Sequence, residues 1–256
     1  VASDFFFPDI AGLFVQDRYT LEKSALTALP LDFRVRSMTD NRMSGLVLIT
    51  GMIGTIITMA LHPTGNDLVA TGKFDAVMRL AVAVHALALI CVPMIFLGCL
   101  GLHRRLAAPN RLSFAALVMY GFAAVAVMNA ATLSGLVAPG VARHMLGGEA
   151  GSRDMWSVAF HLTGDLNQAF AMVFVVASSI AILLWAVAIL RSNIFPKSLG
   201  VYGCVVAPLT LIAVLSGHIR LNVHGFGMVV IGQAVWFISA GVLLWNEKPV
   251  PAPRTT

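Results

Sequence analysis

Six long apolar stretches, nearly free of charge, constrain this chain more than anything else in it. A bilayer's hydrocarbon core is ~30 Å thick and takes about 20 helical residues to cross. The stretches are Met43–Leu61, Asp75–Leu100, Leu112–Val137, Trp156–Leu190, Leu199–Leu215 and Gly225–Trp245. Apolar blocks of this kind are what a bilayer requires, so the expected fold is all-α, a polytopic transmembrane bundle of about six spans. Composition agrees. The 256 residues are 58% hydrophobic and only 11% charged, where a soluble domain carries about 25% charged residues.

The breaks between stretches are equally readable. His62-Pro63-Thr64-Gly65-Asn66-Asp67 turns the chain after the first span, and Pro139-Gly140 is expected to end the third, leaving Val141–Met155 as a loop. Pro93 and Pro208 should kink the second and fifth spans. Trp156–Leu190 is too long for one crossing, and its uncharged part is Ala169–Leu190; it reads as one helix reaching beyond the hydrocarbon. In the first span Gly51, Gly54, Thr55 and Thr58 share a face on which a neighbouring helix can approach closely.

Residues 1–42 differ from the rest, holding six of the twelve acidic and five of the seventeen basic residues. They have no signal-peptide pattern, since Pro8 and Asp9 interrupt the only apolar run. We expect a poorly ordered or upstream tail to about residue 37, with a natural start near Met38, the bundle over 43–246, and a disordered Pro-rich tail over 247–256.

Twelve of the seventeen basic residues fall on one side of this topology, from Arg18 and Arg42 through Arg104, Arg105, Arg191 and Lys197 to Arg254. Lys73, Arg79, Arg143, Arg153 and Arg220 fall on the other. Excess Lys and Arg marks the cytoplasmic face, so both termini are expected inside, in a bacterial-type inner (plasma) membrane. The same placement accounts for the net charge of +5 without nucleic acid. Cys91, Cys99 and Cys204 lie within spans at no metal-ligand spacing and read as small buried side chains.

Most of the seven histidines gather at the outer side: His62, His144, His161, His218 and His224. Asp165, Asn167 and Gln168 join them. Asp165 is the acid nearest an apolar span core, and His161, Asp165 and Gln168 recur at helical spacing. His85 lies about ten residues into the second span, ~15 Å along the helix, which places it near the midplane with no histidine partner at its depth. The expected ligand or proton site is therefore His85, His161, Asp165, His218 and His224, and any metal would take His161, His218 and His224. Ordinary interfacial hydrogen bonding is the competing explanation for each histidine taken singly, and pairing with Arg153 or Arg220 for Asp165. No hydrolase elbow, phosphate loop, zinc-protease motif or dinucleotide fingerprint occurs, so catalytic residues and cofactor stay unassigned.

Ile194-Phe195-Pro196-Lys197-Ser198-Leu199-Gly200 resembles the Phe-Pro-basic-x-Leu-Gly segment that opens a span on the cytoplasmic side in uncharacterised bacterial six-span membrane families. The resemblance covers the last third of the chain and implies a helical membrane bundle with no assigned activity. Three functions follow as expectations. The first is a non-enzymatic protein that binds or passes a small polar solute, proton or cofactor at the outer His/Asp cluster. The second is an accessory subunit, or a homo-oligomer, whose partner docks on the Gly/Thr face of the first span. The third is a membrane haem or metal redox enzyme.

Overall fold

A computed structural model describes residues 31–63, 74–106, 111–148 and 150–246. The chain divides into two units, Asn41–Glu247 and a second made of Val1–Asp40 with Lys248–Thr256. Of the second unit only 31–40 is described, and it is helical. The expected C-terminal tail and most of the expected N-terminal one lie outside the described residues.

The described residues are helical and contain no strand. The elements are α1 (Leu31–Ala60), α2 (Phe74–Leu106), α3 (Arg111–Thr132), a π-helical turn (Leu133–Val137), α4 (Ala138–Gly147), α5 (Ala150–Arg191), α6 (Lys197–Leu215) and α7 (Val223–Trp245). Six helical stretches are long and apolar enough to cross a membrane, with α3, the π turn and α4 counting as one. The protein is thus an all-α multi-pass membrane bundle in contact with lipid. Its outward surface carries large apolar side chains such as Phe122, Val201, Leu209 and Ile212, which suit acyl chains rather than water.

Several boundaries differ from those the sequence predicts: α2 runs on to Leu106, and α4 and the start of α5 at Ala150 make most of the expected Val141–Met155 loop helical. α1 begins at Leu31, upstream of Met43, so its first turns precede the apolar stretch. Pro139-Gly140 does not end the third span, because the helix passes through it to Gly147. The π turn explains this. Ala138 N–H donates to Leu133 O, five residues back, so the winding widens just before the proline. Pro139 then occupies the first turn of α4, where a missing N–H breaks no helical bond.

Close approach holds α1 in place. A Cβ on Gly98 would stand 2.6 Å from Leu48 Cβ, and one on Gly51 2.8 Å from Ile95 Cγ1, so α1 and α2 pack nearly backbone to backbone. Gly45 meets α7 in the same way, with Gly241 O only 2.5 Å from its would-be Cβ. The start of the first span therefore lies beside the end of the last. The Gly51/Gly54 face is occupied by α2 within the chain, so it is not the free partner surface that an accessory subunit would need.

An aromatic cluster fills the core where α3, α5 and α7 meet. Trp185 and Trp236 stack with centroids 6.0 Å apart, and Phe237 and Tyr120 close around them at 5.1–6.3 Å. Trp236 Nε1 donates to Leu199 O at 3.1 Å. One turn away, fully buried Gln233 donates to Ser178 Oγ at 2.9 Å and Ser179 Oγ at 3.3 Å, a polar lock between α5 and α7. This aromatic and polar core fixes the frame on which the opposite end of the bundle opens.

Candidate functional site

The register of α1 against α2 creates the site. Ser44 meets Gly101, Leu48 meets Gly98, and Gly51 meets Ile95. Each turn toward the end of α1 is matched by a step of about one turn toward the start of α2. Carried to the last turn, this antiparallel register sets His62 beside His85, and their rings touch edge to face with centroids 4.6 Å apart at 70°. The sequence reading that His85 has no partner at its depth is thus corrected. His85 is level with the residues just past α1, not with the middle of that span.

Both imidazoles are oriented by backbone. His85 Nδ1 donates to Ala81 O at 2.6 Å, and His62 Nδ1 donates to Pro63 O at 2.7 Å. A carbonyl only accepts, so Nδ1 carries the hydrogen in each neutral ring, and Nε2 is left with its lone pair. Burial holds His62 below the usual imidazole range, and the Pro63 carbonyl acts the other way.

The π turn supplies the third wall. Gly135 sits directly against His85, and a Cβ there would collide with His85 Cβ and stand 2.5 Å from its Cγ. Only a glycine lets the widened turn approach an imidazole this closely. Ser134, from the same turn, faces the space beside it.

That space is a cavity in two adjoining lobes, of about 120 and 490 Å³. His62, His85, Ser134, Asn167, Gln168 and Asn222 line both lobes. The smaller lobe adds Thr55, Thr58 and Met59 from α1, and the larger adds Thr163 and His224. Asn222 is fixed because its side chain caps α7, accepting from Gly225 N at 2.9 Å. The turn before it depends on Gly217, at φ +77°, and on Ile219 N–H donating to Ala213 O. Among the described residues the lining holds imidazoles, amides and hydroxyls on an apolar ground, with no carboxylate, ammonium or guanidinium.

The expected site residues fare unequally. His85 is buried at the centre of the cavity, and His224 is exposed and lines the larger lobe. His161 and Asp165 are exposed on α5 and line neither lobe. The stripe of α5 that does face the cavity runs through Phe160, Thr163, Gly164, Asn167, Gln168 and Ala171. At 100° per residue His161 falls just past its edge and Asp165 further round. His218 is exposed outside the cavity, with Nδ1 2.7 Å from Ser216 Oγ. The described residues hold no group of three His, Cys, Asp or Glu able to share a metal, so His161, His218 and His224 are not brought together as ligands. Nor does the His62–His85 pair clasp a haem as it stands. Two imidazoles on opposite faces of one iron put their centroids about 6 Å apart at metal–nitrogen bonds of about 2 Å.

His62 and Gly135 are residues of the candidate site that the sequence reading did not include. His62 carried one signal, its place at the end of a helix whose small-residue face demands a close neighbour. Comparison with known proteins gives no matching family, curated protein or solved structure for this chain.

Proposed function

We propose that this multi-pass membrane protein binds a small polar solute or a proton in the His62–His85 cavity, without chemical transformation. One observation carries the reading. Two touching imidazoles, each held by a backbone carbonyl at Nδ1, line a polar cavity inside an apolar bundle, and among the described residues that lining carries no carboxylate, ammonium or guanidinium. Polar groups at membrane depth are costly and are retained where they face a cavity or a partner. Neutral imidazoles suit a proton or hydrogen-bond donor, and the amides of Asn167, Gln168 and Asn222 add donors and acceptors around it.

The positive-inside rule supports the orientation. Arg42, Arg104, Arg105, Arg111, Arg191 and Lys197 belong to the end opposite the cavity, and excess Lys and Arg at the cytoplasmic face supports an orientation in a bacterial inner membrane with the cavity opening outward.

Accessibility tests this. In a chain with its three cysteines replaced by alanine, Asn167→Cys should react with a membrane-impermeant maleimide added to intact cells. Arg191→Cys, exposed at the opposite end, should react only after permeabilisation. An Asn167→Cys that never reacts would show a sealed helix contact and end the proposal. Reaction only after permeabilisation would reverse the orientation.

A further inference from the structure

We propose that the smaller lobe is a site for a soft monovalent metal ion, copper(I), held by His62 Nε2, His85 Nε2 and the thioether of Met59. This deepens the reading above and rests on it. Met59, in the last turn of α1, and His62, two residues past the end of that helix, both line the lobe together with His85. Thioether with imidazole is a donor set that selects copper(I) over harder divalent ions.

Three features of the cavity agree. First, each imidazole already has the outer hydrogen bond that metal-bound histidines use, from Nδ1–H to a backbone carbonyl. Second, two imidazoles sharing one ion at near-tetrahedral angles, with bonds of about 2 Å, place their centroids about 5 Å apart. The rings stand at 4.6 Å, close to that spacing. Third, charge favours a monovalent ion. Among the described residues no carboxylate or thiolate lines the lobe, so a divalent ion would bring two charges, and copper(I) only one, to a lining that itself supplies no negative charge. The hydrogens on Nδ1 stay in place, so binding through Nε2 releases no proton when the rings start neutral.

The histidines elsewhere do not form a rival site. His144 stacks on Trp156 with centroids 4.5 Å apart, His218 bonds Ser216, and His161 is exposed on α5. The cysteines are a rival for copper(I) and must be removed in the test.

The experiment is an anaerobic titration of the purified full chain in detergent with copper(I), competed against the chromophoric chelator bicinchoninate. The chain should withdraw one equivalent, and so should the variant with Cys91, Cys99 and Cys204 changed to alanine. His62→Ala and Met59→Leu should each weaken binding roughly tenfold or more, while a triple alanine variant at His144, His161 and His218 should bind like the parent. Met59→Leu keeps the volume and apolarity of the side chain, so it reads out even if His62→Ala fails to fold. No copper withdrawn, binding lost with the cysteines, or binding indifferent to both His62→Ala and Met59→Leu would each overturn the proposal. If copper fails while Asn167→Cys still reacts from outside, the metal inference falls alone. If both fail, the cavity reading falls with it.

Discussion

Gly135→Ala tests the one contact that joins the π turn to the site. Ordinary carbon–carbon contacts lie at about 3.5–4.0 Å, whereas the added Cβ would stand 2.5 Å from His85 Cγ and 3.0 Å from its Nδ1. The overlap is thus about 1 Å against the nearest ring carbon. His85 has little room to retreat, because Nδ1 is tied to Ala81 O at 2.6 Å and the His62 ring blocks another direction at 4.6 Å. Overpacking of this kind costs about 1–3 kcal/mol. Alanine recovers up to about 1 kcal/mol of helix propensity over glycine. The net loss should be about 0–3 kcal/mol, measured as unfolding free energy in detergent. The decisive readout is a double-mutant cycle with His85→Ala. Removing the imidazole opens space for the new methyl, so the double variant should be more stable than the two single effects predict by about 1–3 kcal/mol. A coupling near zero would refute the contact and with it the role given to the π turn.

Two further outcomes follow from buried polar groups. Trp185 and Trp236 are both fully buried and stack on each other, but Trp236 Nε1 donates to Leu199 O while Trp185 Nε1 finds no acceptor among the described residues. Trp236→Phe should therefore destabilise more than Trp185→Phe, by about 1 kcal/mol in matched unfolding curves, and the opposite order would contradict the hydrogen-bond assignment. His62 gives a pH signature: its folded-state pKa lies below the unfolded value of about 6.5, so the unfolded chain binds more protons as pH falls through that value. This group's stabilisation is present above about pH 6.5 and declines below it, by at most about 1.4 kcal/mol per pH unit. His62→Gln should flatten the fall in melting temperature between neutral and mildly acid pH, and an unchanged slope would show that His62 does not titrate with folding.

The spans were legible because the bilayer imposes one local requirement, a long apolar stretch, that each segment meets or fails by itself. What local reading could not supply is register. Gly51 and Gly54 announce a close neighbour without naming it. Only once Gly98 and Gly101 of α2 are set against Leu48 and Ser44 does the end of α1 fall beside His85. His62 then stops being a turn residue next to Pro63 and becomes half of a pair. The same gap explains the α5 residues. His161 and Gln168 lie within a fraction of a turn of each other around the helix, and periodicity alone ranks the ionisable one higher. The contacts of α5 with its neighbours instead turn the amides Asn167 and Gln168 inward and leave His161 and Asp165 outside. Pro139 shows the limit from the other side. Its cost in an α-helix is local and visible, but the widened turn that removes that cost is visible only beside His85, where Gly135 needs to fit. Two tertiary contacts therefore account for three departures from the sequence reading: the α1–α2 register gives His85 its partner and sets the position of the cavity, and the fit of Gly135 against His85 goes with the widened turn through which the third span continues.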